Sequence, residues 1–252
     1  MFTNRYIFTY ASIMVIIVAA VLSTASMVLK PYQESNIRAE KIQGILISAN
    51  IESTRAEAEP LFDKYIVEEL AIDKDGNIKS VFKNGKLVKG DVRPFDLNLK
   101  EQLRIEKDAS EGKTVGTALF PLYIIEYNGN RMYIVPVRGV GLWGPIWGSV
   151  AFKSDFNTVV GAKFDHKSET PGLGAEIATN NFSAEFKDKT IFNKGHQFVS
   201  IAVVKGGVAN SNINPIHGVD AISGGTITST AVGDMLENCL KNYVQYIDKN
   251  IK

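Results

Sequence analysis

The sequence has little of what disulfide or metal chemistry requires. Of its 252 residues, one is a cysteine, Cys239, and three are widely spaced histidines, His166, His196 and His217. A single cysteine excludes an internal disulfide, a CxxC redox pair and a thiolate zinc site, and the histidines form no HExxH or HxH pattern. We therefore expect no metal site, and any electron transfer must use another carrier.

An excess of charge of one sign is also missing from most of the chain. Lys and Arg number 28 against 27 Asp and Glu, and residues 1–29 contain one basic residue, Arg5, and no acidic one. The rest of the chain therefore carries 27 side chains of each sign. A neutral body lacks the basic surface that binds nucleic acid, so we expect no nucleic-acid partner.

A long apolar run near the N-terminus predicts a membrane anchor. No charged residue occurs from Tyr6 to Leu29, and a helix of that length can cross a hydrocarbon core of about 30 Å. A cleavable signal peptide has a shorter apolar region of about 7–15 residues, so an uncleaved transmembrane helix is favoured. We expect Pro31 to end this helix, which gives residues 1–32 as N-terminus and membrane helix and 33–252 as the soluble domain. Basic residues flank both ends, so charge alone does not set the orientation.

The remainder of the chain alternates between helical and strand patterns. The predicted elements are helices at 34–49 and 52–70, hairpins at 80–88 and 122–137, strands at 147–152 and 197–204, and a final helix of about 25 residues. The dipeptides Asn84-Gly85 and Asn128-Gly129 mark the hairpin turns, because these residues tolerate positive φ. Hairpins in place of βαβ units predict an α+β fold with an antiparallel sheet flanked by helices, and not a doubly wound dinucleotide fold.

Three glycine-rich loops offer places where a cofactor could be held. They are loop 1 (Gly139–Pro145, GVGLWGP), loop 2 (His166–Gly174, HKSETPGLG) and loop 3 (Asp220–Thr230, DAISGGTITST). The glycines of loop 1 let the backbone approach a flat ligand, and Trp143 offers a stacking face. Loop 3 precedes the final helix, where the Thr226 hydroxyl and free backbone amides suit a phosphate group.

Each loop also has a purely structural interpretation. Loop 1 could be a hairpin corner with a core aromatic, and in loop 2 Thr170 could cap a helix that starts at Pro171. In loop 3, Thr228 or Thr230 could be the N-cap of the final helix. Loop 3 has no lysine after its glycines, so it is not a Walker P-loop. From the residues alone, both interpretations stay open.

Together the three loops resemble those of the covalent FMN-binding domain family, and most of all the C subunits of Na⁺-translocating NADH:quinone oxidoreductases. The resemblance spans essentially the whole chain, through LKPYQESN, GVGLWGPIWG, HKSETPGLGAEI and DAISGGTITS. In that family FMN is joined through its phosphate to the threonine of Asp-x-x-(Ser/Thr)-Gly-Ala-Thr. Here Asp220, Ser223, Gly224 and Thr226 match this pattern. Gly225 replaces the usual alanine, a change that removes one methyl group and is expected to loosen the loop.

The resemblance implies a covalent FMN on Thr226, with Thr228 as the alternative attachment residue. The residues expected to line the flavin are Trp143, Glu169, Thr170 and Leu173, and those expected to hold the ribityl phosphate are Ser223, Gly224, Gly225 and Thr228. Lys205 is expected near the ring, where it could stabilise an anionic reduced flavin, or else at a solvated strand end. A separate flavin transferase would attach the group from FAD and read Asp220 as part of its target.

The function that this resemblance implies is electron relay within a membrane complex. The chain would pass electrons between partner subunits and would have no catalytic residues of its own. The alternatives are the related G-type subunit of an Rnf ferredoxin:NAD⁺ oxidoreductase, or a non-redox, membrane-anchored binding domain. The resemblance also implies a bacterial inner-membrane location, with the N-terminus in the cytoplasm and the soluble domain on the outer face.

Overall fold

The first element of the computed structural model, which describes residues 3–113 and 116–251, is one long helix, α1 (Asn4–Ser48). It contains an 18-residue window of mean hydropathy 2.4, none of which is buried. This helix is long and apolar enough to cross a membrane. The expectation of an N-terminal helix of membrane-spanning length is therefore confirmed.

Helix α1 continues through Pro31, so the predicted helix end at this proline is wrong. A proline inside a helix removes one hydrogen bond and costs about 3 kcal/mol. Ending the helix and starting another would instead leave four N–H and four C=O groups without intrahelical partners. The helix predicted from residue 34 is therefore the last part of α1. The boundary between the two compact units of the chain lies further along α1, between Lys41 and Ile42.

The strands that follow form an antiparallel sheet, as predicted. They are β1 (Ile66–Ile72), β2 (Ile78–Lys83), β3 (Lys86–Lys89), β4 (Phe120–Tyr127), β5 (Asn130–Val140), β6 (Pro145–Phe152) and β7 (Val159–His166). Among the described residues the sheet has seven strands in the order β3-β2-β1-β4-β5-β6-β7. Helix α3 (Leu99–Ser110) lies in the connection between β3 and β4. The α+β class is confirmed.

Both predicted hairpin turns are present. Asn84 and Gly85 have φ of 51° and 72°, and Asn128 and Gly129 have φ of 51° and 76°. Two successive residues with positive φ make the turn whose twist matches that of the strands. These turns join β2 to β3 and β4 to β5.

Two predicted elements are wrong in part. The helix predicted over 52–70 is confined to α2 (Ala58–Tyr65), because the next residues form β1. One of the two acidic residues of β1, Glu69, is buried, and its carboxylate accepts hydrogen bonds from Arg93 Nε at 3.0 Å and from the N–H of Phe95 at 3.1 Å. The strand predicted over 197–204 shrinks to β8 (Ala202–Val204), since Ser200 has a φ of 58° that a strand cannot accommodate.

The sheet has an apolar core on each face. Tyr133, Val135 and Val137 of β5 belong to one core, and Met132 and Ile134 belong to the other, as alternation along a strand requires. The second core also contains Ile42, Ile45 and Leu46 of α1 and Phe62 of α2.

A short helix, α4 (Asn180–Ala184), follows loop 2. It packs on the first core together with the last two helices, α5 (Thr226–Leu240) and α6 (Val244–Asn250). The predicted apolar face of the final helix is buried there: Met235, Leu236, Cys239, Leu240, Tyr243 and Ile247. A short parallel pair, β8 with β9 (Gly218–Asp220), leads directly into loop 3 and α5.

Candidate functional site

Because β5, β6 and β7 pair in antiparallel fashion, loops 1 and 2 lie at the same end of the sheet. Loop 1 joins β5 to β6, and Val140 pairs with Pro145 at its base. Loop 2 overlaps the last residue of β7, where Ile146 of β6 pairs with His166. Loop 1 is closed by a hydrogen bond of 2.8 Å from the N–H of Gly141 to the carbonyl of Gly144.

Glu169 of loop 2 joins all three loops. Its side chain is buried, and the residue is 4% exposed. Oε1 accepts a hydrogen bond of 2.8 Å from the N–H of Trp143 in loop 1, and Oε2 accepts one of 2.6 Å from the hydroxyl of Thr228 in loop 3. The structure therefore brings together residues that lie 26 and 59 positions from Glu169 in the sequence.

The two candidate attachment threonines occupy different environments. Thr226 is the first residue of α5 and is partly exposed, and its hydroxyl makes one long hydrogen bond of 3.4 Å to the carbonyl of Ile222. Thr228 is 2% exposed, and its hydroxyl is bonded to Glu169. The accessible hydroxyl at the helix start is thus that of Thr226.

The start of α5 has no side-chain cap. Its N-cap is Gly225 and no side chain bonds to the helix start there, so the alternative in which Thr228 or Thr230 caps the helix is wrong. The Thr230 hydroxyl instead donates back to the carbonyl of Thr226 at 2.8 Å. The N–H groups of a first helical turn have no intrahelical acceptor, and they favour an anionic group.

Leu173 of loop 2 packs directly against the glycines of loop 3. A Cβ at Gly224, where φ is 76°, would lie 2.8 Å from Leu173 Cδ2, and a Cβ at Gly225 would lie 2.6 Å from the carbonyl oxygen of Leu173. The expectation that glycine at position 225 loosens the loop is therefore wrong, because loop 2 fills the space of the missing methyl group. Ser223 is exposed next to this contact.

Thr170 shapes loop 2 without capping a regular helix. Its carbonyl accepts hydrogen bonds from the N–H groups of Leu173 and Ala175, both at 3.1 Å. These bonds close a turn at Pro171 and Gly172 that runs into a 3-10 helix, so the alternative in which Thr170 caps a helix that starts at Pro171 is wrong. Thr170 itself is exposed beside the site.

Large apolar side chains of all three loops face solvent. Leu142 is 49% exposed, Trp143 66%, Leu173 43% and Ile227 62%. Exposed apolar groups gathered at one place, rimmed by polar residues, are typical of a ligand or partner site. A flat aromatic ligand would cover such a surface, and Trp143 is available to stack on it. The alternative in which this tryptophan belongs to the core is wrong.

Lys205 and Asp220 lie at the entrance to loop 3. Val204 pairs with Asp220 in the parallel β8–β9 pair, so the exposed Lys205 follows β8 beside the point where loop 3 begins. The carboxylate of Asp220 accepts a hydrogen bond of 2.7 Å from the N–H of Val208. Asp220 is therefore engaged with the Gly207–Val208 turn, a role that no sequence pattern indicates.

Supporting hydrogen bonds come from two serines that were not predicted as site residues. The Ser168 hydroxyl donates to the carbonyl of Trp143 at 3.1 Å, and Ser229 Oγ accepts from the N–H of Ile222 at 3.1 Å. Ser168 therefore adds to the links between loops 1 and 2, and Ser229 ties loop 3 to α5. Their partners are fixed by the folded chain, so no local pattern marks them.

The fold and the loop cluster define an FMN-binding domain protein with an N-terminal apolar helix. Residues 141–241, which include most of loop 1 and all of loops 2 and 3, match the family model described as the FMN-binding domain. A Vibrio vulnificus protein, the C subunit of Na(+)-translocating NADH-quinone reductase, is 31% identical over 86% of this chain and 83% of its own. The corresponding protein of Pseudomonas aeruginosa is 28% identical over 90% of this chain and 87% of its own. This chain belongs to the NqrC family, the C subunits of Na(+)-translocating NADH-quinone reductases.

Solved structures agree with this assignment. The crystal structure of the C subunit from Parabacteroides distasonis is 37% identical in sequence, with a TM-score of 0.69 over 87% of this chain and 96% of that chain. NqrC from Shewanella oneidensis is 26% identical, with a TM-score of 0.64 over 84% and 97% of the two chains. The resemblance found in the sequence is confirmed, and the family assignment favours an NqrC protein over the Rnf-type and non-redox alternatives.

Proposed function

We propose that this chain is the electron-relay subunit of a Na⁺-translocating NADH:quinone oxidoreductase, with FMN joined through its phosphate to Oγ1 of Thr226. The contrast between the two threonines carries the proposal. The Thr226 hydroxyl is partly exposed and makes one long hydrogen bond, whereas the Thr228 hydroxyl is buried against Glu169. A hydroxyl that must reach a phosphorus atom has to be accessible.

The residues around Thr226 fit a phosphate-linked flavin. The uncapped start of α5 offers backbone N–H groups to the phosphate, and Ser223 and Gly224 lie exposed beside it. Trp143 and Leu173 present apolar surface to the ring. The exposed Lys205 ammonium, beside the start of loop 3, would favour an anionic form of the ring.

When bound, FMN supplies reversible one- and two-electron chemistry that no side chain of this protein provides. The covalent link suits a relay because a cofactor that is never exchanged needs no pocket closed around it. A separate flavin transferase would form this covalent link, with FAD as the source of FMN. In that reaction Oγ1 of Thr226 would bond to the FMN-side phosphorus of FAD, the hydroxyl would lose its proton, and AMP would leave with the electrons of the broken pyrophosphate bond.

The same proposal assigns the chain a place in the membrane. Residues 1–32 would form the cytoplasmic N-terminus and membrane helix, and residues 33–252 the soluble domain on the outer face of the bacterial inner membrane. The partners would be the other subunits of the reductase and, during maturation, the flavin transferase. The apolar helix of membrane-spanning length supports the anchoring half of this assignment.

The attachment residue is tested with two isosteric variants of the full chain, co-expressed with the transferase. Wild type should give a fluorescent flavin band on a denaturing gel, because a covalent adduct survives unfolding. Thr226→Val removes the hydroxyl and should abolish the band. Thr228→Val is the matched control and should keep it. A missing wild-type band would contradict covalent attachment, and a band lost only in Thr228→Val would move the attachment to that residue.

A further inference from the structure

The Glu169 carboxylate occupies a narrow slot between two glycines. A Cβ at Gly141 would lie 2.6 Å from Oε1, and a Cβ at Gly174 would lie 2.7 Å from Oε2. Side chains at either glycine would therefore displace the carboxylate. Loops 1 and 2 therefore each have a glycine where Glu169 inserts, and this narrow slot restricts the carboxylate to one position.

Both hydrogen bonds to this carboxylate come from outside loop 2. One donor is the backbone N–H of Trp143, and the other is the hydroxyl of Thr228. Hydrogen bonds to an ionised carboxylate are roughly twice as strong as neutral ones, and a buried donor left without an acceptor loses free energy. The side chain of Glu169 is thus a bridge between loop 1 and the first turn of α5.

The two bridged positions are those that matter for a bound flavin. Trp143 carries the exposed aromatic ring of loop 1, and Thr228 lies in the same helical turn as Thr226. We propose that Glu169 is a positioning residue that clamps loop 1 to the start of α5 and so sets where the Trp143 ring lies relative to the Thr226 hydroxyl. The importance of that position for flavin binding rests on the proposed function, whereas the contact between loop 1 and α5 through Glu169 does not depend on it.

The clamp depends on shape and hydrogen bonding. A glutamine at position 169 has a carbonyl oxygen that can accept from the Trp143 N–H and an amide group that can donate to Thr228 Oγ1. Glu169→Gln should therefore preserve the clamp, whereas Glu169→Ala removes both bonds. If the clamp instead required the negative charge of Glu169, Glu169→Gln would loosen it as Glu169→Ala does.

Hydrogen–deuterium exchange of the full chain separates these cases. We expect Glu169→Ala to speed exchange at the Trp143 amide by about tenfold or more, and Glu169→Gln to exchange at about the wild-type rate. Glu237→Gln, on the exposed face of α5, is the matched control and should change nothing. Thr228→Val, which keeps the shape of the side chain, should speed exchange in the first turns of α5 while the Trp143 amide stays protected.

The flavin gives a second and independent readout. Glu169→Ala should keep the fluorescent band of covalent FMN but lose most of the visible circular dichroism that a fixed ring environment induces. Unchanged Trp143 exchange in Glu169→Ala would overturn the clamp, as would a glutamine variant that exchanges as fast as alanine. If Glu169→Ala does not fold, Thr228→Val decides, because unchanged exchange in α5 would also overturn it. A wild-type chain without the band would overturn the proposed function and leave the exchange measurement as the test of the clamp.

Discussion

At the scale of single residues, Gly225 shows that a glycine can be required by space alone. Its φ of −106° and ψ of 23° are open to other residues, so conformation does not demand glycine. The carbonyl of Leu173 occupies the place where a side chain would begin. Loops 2 and 3 are therefore in backbone contact where the flavin phosphate is proposed to bind.

We expect Gly225→Ala to separate loops 2 and 3. The added Cβ would lie 2.6 Å from the carbonyl oxygen of Leu173, and relief of such overpacking costs about 1–3 kcal/mol. Thermal unfolding should show the loss of stability, and the covalent flavin band should weaken. Gly44→Ala is the control, since a Cβ there meets nothing within 4 Å and alanine favours the helix. Equal stability of Gly225→Ala and wild type would contradict this interpretation.

At the scale of elements, β1 depends on a partner far away in the sequence. The guanidinium of Arg93 contacts the Glu69 carboxylate and lies over the ring of Phe82, 4.1 Å from its centroid. The N–H of Phe95 donates to the same carboxylate. These contacts hold the segment Pro94–Asp96 against the sheet.

We expect Arg93→Met to destabilise the domain by about 2–3 kcal/mol, because it leaves the buried Glu69 carboxylate without its cation. This figure is below the roughly 3–5 kcal/mol expected for a fully buried pair, since the Arg93 side chain is 23% exposed. Thermal unfolding in detergent should show a lower Tm. The double variant Glu69→Gln/Arg93→Met should recover part of the loss, because no uncompensated charge stays buried, and additive effects of the two changes would contradict the coupling.

Elements that depend on neighbours in the sequence were predicted correctly. The Asn-Gly dipeptides fixed both hairpins because their positive φ values are a local property, and the spacing of apolar residues fixed α5. Strand β1 was missed because its residues Glu68 and Glu69 favour a helix by composition. Its pairing with β2 and β4 and the ion pair between Glu69 and Arg93 make it a strand instead. Tertiary contacts override propensity in such a segment.

The candidate site follows the same rule. Its loops could be recognised from glycines, threonines and a tryptophan that lie close together in the sequence. The link through Glu169 could not, because its two partners come from separate loops that meet only in the folded sheet. The contact between Leu173 and Gly225 was missed for the same reason, since a backbone approach leaves no pattern in the residues.

At the scale of the whole molecule, the single thiol of the chain is buried and unreactive. Cys239 is 1% exposed, and burial raises the pKa of its thiol to about 11. The thiolate, which is the reactive form, is therefore scarce at neutral pH. The natural chain thus provides a background without a reactive cysteine for mapping its membrane orientation.

We expect a cysteine at Lys86, on the exposed β2–β3 hairpin, to react with a membrane-impermeant maleimide in intact spheroplasts. A cysteine at Thr3, near the N-terminus, should react only after the membrane is disrupted. Wild type should stay unlabelled in both conditions because Cys239 is buried. The reverse pattern for Lys86→Cys and Thr3→Cys would contradict an outward-facing soluble domain.

The covering of one sheet face by α5 and α6 has a consequence for biogenesis. All seven strands of the sheet, within the described chain, precede Thr226, yet α5 and α6 supply a large part of the cover on one of their apolar faces. While the chain emerges from the ribosome, that face stays partly open until both segments have been synthesised, and loop 3 lacks its hydrogen bond to Ser229 of α5. We therefore expect an enzyme that modifies Thr226 to act after the whole chain has been synthesised.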